Sequence, residues 1–357
     1  MASVLYTCMD IEGPRTPGRF EHAIEFTASL MAILLAHEFG HFVAARIHRV
    51  DASLPYFIPL PLLSPFGTLG AVIRMRSVIP TRRALLDIGA AGPLCGMVVA
   101  VPLYAWGVAH SQVVPLEPSG AEPGHTIQLG SSLLLALLDR SFGPHVGDGM
   151  DIMLSPAAYA AWAGMFVTMI NLLPVGQLDG GHVAYAWLGK RLDGITPWVH
   201  RSVLAFFFAS LSGFVVRDLH AGLGLWHFGR HVNDALFWLV WFEVLAVLGT
   251  LSPKGKPGAA GEQRDLSLST RAIATLGLSV VAGALQDRES VGLWTAWLVG
   301  LAVLIAMEVR WGALRGSHDL LRHPTSGGEP LRGGRVAVAA LTLCLFALLF
   351  MPTPMSP

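Results

Sequence analysis

Charge is what this chain has least of. Asp, Glu, Lys and Arg together make up 13% of its 357 residues, about half the share of an ordinary soluble domain. The two signs cancel to a net charge of +0. No global field draws in a polyanion, and no basic, aromatic-rich surface stretch is present, so nucleic acid is not an expected partner. Cysteine is scarce as well. Cys8, Cys95 and Cys344 lie far apart with no CxxC pair, which argues against a disulfide framework or a thiolate metal site. The segment 1–21 mixes acids, prolines and arginines, without the basic-then-apolar order of a cleaved signal peptide.

What abounds is apolar surface: 53% of residues are hydrophobic and the mean hydropathy is +0.56. This composition predicts an all-α polytopic membrane protein. Apolar runs fall at about 22–47, 85–109, 155–189 (broken), 202–217, 235–251, 270–286, 291–309 and 335–351, giving roughly eight transmembrane helices; some are short for ~30 Å of hydrocarbon. Gly130 to Leu138 is too short to span and is expected to lie at the interface. The loops 46–83, 190–201, 252–271 and 310–335 hold six, three, four and five Lys+Arg, 18 of the 24 in the chain. An eight-span layout with both termini outside places all 18 in the cytoplasm, as the positive-inside rule requires. The expected setting is a bacterial inner (plasma) membrane.

Within the first run stands Ala36-His37-Glu38-Phe39-Gly40-His41. Positions i and i+4 share a helix face, so His37 and His41 project together. Two imidazoles so placed suit one zinc ion, and Glu38 beside them suits proton transfer from water. Two buried imidazoles and a carboxylate are costly in lipid without partners, which disfavours simple helix packing.

The third run carries Asn171-Leu172-Leu173-Pro174-Val175-Gly176-Gln177-Leu178-Asp179-Gly180-Gly181-His182. Pro174 and Gly176 are expected to break the helix inside the membrane, which lipid tolerates only where protein or a polar cavity receives the freed backbone. Asp179 follows that break as a lone intramembrane carboxylate, a functional candidate by default. His37 and His41 lie nine and five residues before Arg46, and Asp179 eleven before Lys190; these are about 14, 8 and 16 Å of helix. All three then sit at similar depth from the cytoplasmic side. Three protein ligands with a fourth position open describe a catalytic zinc site. Gly89-Ala90-Ala91-Gly92-Pro93-Leu94-Cys95-Gly96 has the small residues that let helices close up in lipid. Residues of about 56–76 form an apolar stretch cut by prolines and glycines; Ala71-Val72-Ile73 has strand character, and Gly67 and Gly70 permit turns or close backbone approach. A small membrane-re-entrant β-hairpin or loop fits, and so does an interfacial loop.

Together the two motifs resemble the site-2 protease family of intramembrane zinc metalloproteases. His37, Glu38 and His41 match its HExxH; Asn171, Pro174, Leu178, Asp179 and Gly180 match its NxxPxxxLDG. The stretch Phe66 to Ile73 resembles the GTLGAVI-type re-entrant loop of one branch, the branch with plastid and cyanobacterial-type members. Gly96 stands where many members carry Asn. The resemblance covers about 22–190 and implies a catalytic membrane core there, between the N-terminal segment 1–21 and additional transmembrane helices in 191–357. Neither a PDZ domain nor a nucleotide-sensing domain is apparent. It implies Zn2+ on His37, His41 and Asp179, Glu38 as general base, and Asn171 bonding the substrate carbonyl or oxyanion. The implied substrate is a membrane-anchored protein cut within or near its transmembrane segment in regulated proteolysis, its peptide unwound and met by Gly67, Gly70, Ala71, Val72 and Ile73. Two alternatives stay open: an ion-coupled transporter or channel using Asp179 and Glu243, and a catalytically silent membrane-protein binder. His220, His227 and His231 are expected to be solvent-exposed loop residues.

Overall fold

The computed structural model describes residues 18–59, 66–77, 79–115, 128–222, 228–250, 291–311 and 329–356, with Val4 and scattered positions between 270 and 281. Helix α1 (Arg19–Ile47) carries the HExxH motif and leads into the hairpin strands β1 (Tyr56–Pro59) and β2 (Thr68–Val72). Helix α2 (Arg82–Ala109) follows; the Thr81 hydroxyl accepts from the Ala84 N–H and so caps a free end group. Strands β3 (Gln112–Pro115), β4 (Gln128–Leu129) and β5 (Met150–Met153) frame the next loop, with β3 and β5 antiparallel. Between them α3 (Leu133–Phe142) buries Leu135 and Leu138 and exposes Leu133 and Leu137. That two-faced helix lies where the sequence predicts an interfacial one.

Helix α4 (Pro156–Asn171) begins with Ser155 capping Ala158 and proline in its first turn, where no backbone donor is needed. It stops at Asn171 because Pro174 cannot continue the ladder. A turn holds Gly176 at φ 55°, and α5 (Asp179–Leu188) restarts the helix. The predicted helix break is therefore present at the predicted place. The rest is α6 (Leu192–His220), α7 (Phe228–Thr250), α8 (Val291–Trp311), α9 (Gly334–Leu349) and β6 (Met355–Ser356), which pairs with β4.

Helix α1 packs along α2 and α4, and α2 also lines α4 and α5. The core between them is built from Phe26, Leu30 and Ile33 of α1 and Trp162, Met165 and Met169 of α4. Phe66, at the foot of β2, inserts against Tyr159, Trp162 and Phe166 of α4 with ring centroids 6.3, 6.3 and 6.1 Å away. Helix α9 closes the far side against α5 and α2.

Among the described residues, three helical stretches are long and apolar enough to cross a membrane: Arg19–Ile47, Arg82–Ala109 and Asp179–His220. The chain is thus a mostly helical, multi-pass membrane protein. The third stretch departs from expectation. A single 3-10 turn, Gly189–Arg191, joins α5 to α6, so the basic segment 190–201 is largely helix instead of loop. The reason is packing: Leu192, Thr196 and His200 recur on one buried face. Helices also cover the apolar runs at 235–251, 291–309 and 335–351, whereas most of 270–286 lies outside the described residues.

Candidate metal centre

His37 and His41 sit on the buried face of α1, 4% and 6% exposed, with ring centroids 4.9 Å apart. Asp179 is the first residue of α5, where the helix N-terminus favours a negative charge. Its Oδ2 lies 3.1 Å from His37 Nε2 and 3.3 Å from His41 Nε2. Among the described residues this is the one group of three such donors gathered within 4.8 Å of one another. Gly180 and Gly181 permit the placement: a Cβ on either would strike the backbone of the turn at Leu172 to Gly176.

Two observations show that the donor set fits zinc. Zn–N and Zn–O bonds of about 2.0–2.2 Å put neighbouring tetrahedral ligands about 3.3–3.5 Å apart, close to the spacings above. The second is the tautomer of His41. Its Nδ1 donates to the Ile88 carbonyl on α2 at 2.7 Å, so a neutral ring turns the Nε2 lone pair toward the Asp179 carboxylate. In that tautomer lone pair faces lone pair, and a cation between them would satisfy both. A carbonyl fixing the ring's other nitrogen is the usual support of a metal-bound histidine. Helix α2 also supplies the room: a Cβ at Gly92 would land on the His41 imidazole, and one at Gly96 would stand 3.3 Å from His37 Nδ1. The small residues of α2, expected only to let helices close up, shape the walls of this centre.

Glu38 is 7% exposed, and the Ile73 main chain lies beside its carboxylate. The hairpin thus reaches the centre through its main chain. It pairs Tyr56 with Val72, Phe57 with Ala71 and Ile58 with Gly70, then slips register before Pro59 meets Thr68. Gly70 has φ 111°, and a Cβ there would meet nothing within 4 Å, so backbone conformation and not crowding calls for glycine. Gly67 likewise turns the chain at φ 68°. Among the described residues β2 has β1 as its single strand neighbour. Asn171 ends α4 half-buried, and among the described residues its amide makes no hydrogen bond. The structure does not bring that amide into hydrogen-bond contact with the three donors.

Three groups were not legible as parts of this site: the Ile88 carbonyl, the Ile73 main chain and the bare Cα of Gly92. Two are backbone groups and one is a missing side chain, so residue type signals none of them. The outlying histidines need a correction. His220 is exposed at the end of α6, and His227 lies outside the described residues. His231 is buried on α7 with Nε2 2.7 Å from Asp218 Oδ2; a buried carboxylate on α6 gives it a reason to be inside. Glu243 is also accounted for. Its Oε2 lies 3.4 Å from Arg271 Nη1, which lies 2.7 Å from Glu308 Oε1, all three buried. Arg271, counted among the loop charges that set the topology, is therefore inside the protein.

The fold and its donor set define a metal centre assembled from apolar helices. Residues 25–213, more than half of the chain, match peptidase family M50, and the chain belongs to that family. This is the family anticipated from the two motifs. The chain is 35% identical over 176 residues to the probable zinc metalloprotease EGY1, chloroplastic, of Oryza sativa subsp. japonica, covering 48% of this chain and 29% of that protein. Its counterpart in Arabidopsis thaliana is 36% identical over 175 residues, 47% and 30% of the two chains. The probable zinc metalloprotease EGY2, chloroplastic, of Oryza sativa subsp. indica is 27% identical over 249 residues, 70% and 40% of the two. The chain thus spans between 29% and 40% of the length of these relatives. No solved structure matches it.

Proposed function

We propose that the chain is an intramembrane zinc metalloendopeptidase, hydrolysing a peptide bond within or beside a transmembrane segment of a membrane-anchored protein. The observation that carries this is the convergence of His37, His41 and Asp179 at tetrahedral spacing, with the proton of His41 already committed to Ile88. Membership of peptidase family M50 and the relatives' names support zinc and peptide-bond cleavage. The catalytic core is residues 22–190, with the family match running somewhat further, and 191–357 adds helices around it.

When bound on His37, His41 and Asp179, zinc supplies Lewis acidity, which polarises a carbonyl and makes water acidic near neutral pH. Glu38 takes the proton from the attacking water as its oxygen bonds the carbonyl carbon, and returns it to the amide nitrogen as the C–N bond breaks. The products are a carboxylate and an amine. The Ile73 main chain beside Glu38 steadies its carboxylate between those two transfers. Asn171, with its amide uncommitted, bonds the substrate carbonyl or the developing oxyanion. A helical amide is shielded by its own hydrogen bonds, so the substrate must be extended. The second edge of β2, around Gly70, Ala71 and Val72, can receive it as an added strand.

The layout is about eight spans, the hairpin re-entering the bilayer and the centre nearer the side of the basic loops. Arg46, Arg82, Lys190 and Arg335 all belong to helix ends on that side. The relatives are named chloroplastic, so they lend no support to a bacterial plasma membrane. Transport has lost a support, since Glu243 is engaged with Arg271.

The test is zinc content and single-turnover cleavage of a model transmembrane substrate by wild type and Glu38→Gln. The variant should keep about one zinc per chain and cut about 10²–10⁴-fold more slowly. A variant that cuts at the wild-type rate overturns this mechanism, and ion flux dependent on Asp179 without cleavage would favour transport.

A further inference from the structure

Histidines His37 and His41 ride on α1 and Asp179 on α5, and no chain segment of regular structure joins the two directly. Their common neighbour is α2. Its Ile88 carbonyl fixes the His41 ring. Its Gly89 lets α5 approach, with the Asp179 carbonyl and His182 Cβ next to where a Cβ would stand. One helical turn pair earlier, Arg82 reaches the other end of α5. Its Nε donates to the Ala186 carbonyl at 2.9 Å, and its Nη2 to the carbonyls of Trp187 and Tyr185 at 2.8 and 3.3 Å. Those of Ala186 and Trp187 belong to the last turn, whose carbonyls a helix leaves without internal partners, while the Tyr185 carbonyl also accepts from the Gly189 N–H. Gly189, at φ 61°, ends the helix, and a Cβ there would stand 3.0 Å from the guanidinium.

From this placement we infer that Arg82 is a positioning residue of the metal centre, setting the height of Asp179 against His37 and His41 by clamping the far end of α5 to α2. The inference rests on the metal-centre reading above. Helix α5 spans only Asp179–Leu188, and its near end is held by the close approach of Gly180 and Gly181 to the turn before it. A short helix moves as one body, so a shift where Arg82 grips it appears at Asp179. The tightness of the donor spacing, 3.1 and 3.3 Å, leaves little room for such a shift. A planar guanidinium can bond three carbonyls at once, whereas an ammonium offers the charge without the fork. Charge alone is a poor account of the site. The neighbouring Arg83 is exposed and, among the described residues, pairs with Glu329 at 3.7 Å.

The experiment uses the full chain in detergent and compares wild type, Arg82→Gln, Arg82→Lys and Arg83→Gln. Zinc affinity is read by chelator competition, and the visible absorption of the cobalt-loaded protein reports the number and geometry of the ligands. Thermal melting of each metal-free protein serves as the control for folding. Arg82→Gln should weaken zinc binding by about 10- to 100-fold and alter the cobalt spectrum, with metal-free melting close to wild type. Arg82→Lys should fall between, and Arg83→Gln should match wild type. If Arg82→Gln melts early but keeps zinc affinity within twofold and the same cobalt spectrum, Arg82 is only a brace and the inference fails. Should Arg82→Gln not fold, Arg82→Lys decides: an unchanged cobalt spectrum and zinc affinity overturn the inference. A wild-type protein that binds neither metal overturns the metal-centre reading and this inference with it, an outcome distinct from both.

Discussion

The two halves of this molecule bury polar groups in opposite ways. From α1 to α5 they converge: two imidazoles and a carboxylate face one point, and the groups that steady them, the Ile88 carbonyl for His41 and the Ile73 main chain for Glu38, belong to the backbone. From α6 to α8 they pair off. His231 meets Asp218, the His200 ring meets the Phe242 carbonyl at 2.8 Å, and Arg271 lies between Glu243 and Glu308. A charge buried in a membrane helix is thus no mark of chemistry by itself. The mark is a set of three possible metal ligands gathered at one point. In the second half each such group has its partner across a helix interface, as structural burial requires.

The comparison breaks if the second half can replace the first as a metal site. His37→Ala together with His41→Ala should reduce zinc from about one per chain to none, measured on purified protein; zinc retained in full would point to the His231 region. Next in size, Arg271→Gln strands two buried carboxylates and should cost about 3–5 kcal/mol of stability while leaving zinc content as in wild type. Denaturation in mixed micelles reads the first and metal analysis the second, and loss of zinc there would mean that the halves are not separate in function. Gly92→Ala sharpens the first half, because the added methyl displaces the His41 ring. Zinc affinity should drop about 10- to 100-fold with helix content preserved, whereas an unchanged affinity would dissolve the claim that α2 shapes the centre.

The smallest effect lies in the first half but away from its converging groups, between α2 and α3. The Tyr104 hydroxyl donates to Asp139 at 2.8 Å. Burial raises the Asp139 carboxyl above its ordinary range, and the Tyr104 bond draws it partly back. The folded state therefore holds this proton more readily than the unfolded one, and stability declines as pH rises through the Asp139 titration. Tyr104→Phe should cost about 1 kcal/mol and push that decline to higher pH. Melting temperature against pH, with the two profiles superimposed, would rule this out; solvent at the half-buried Asp139 keeps the effect small.

How much of this was legible follows from where the information resides. The i, i+4 spacing of His37 and His41 and the Pro174–Gly176 break are local patterns, and local patterns are written in residue type. The depth match of Asp179 with the histidines needed only helix rise. The hairpin was legible as a stretch of about 56–76 with strand character at Ala71 to Ile73, but its register with Tyr56–Pro59 was not, because Pro59 and the prolines after it interrupt the strand signal of Tyr56 to Ile58. Arg271 was misplaced because an arginine near an apolar run looks like an interfacial anchor, and its two glutamates lie 28 and 37 positions away along the chain (271−243 and 308−271). Contacts at that separation leave no trace in one sequence.

The Ile73 main chain beside Glu38 has a consequence for how such a protein can diverge. A main-chain group is present whatever side chain the residue carries. Any side chain at position 73 that keeps the packing against the cluster of Ala45 and Val50 therefore leaves the same main-chain group beside Glu38.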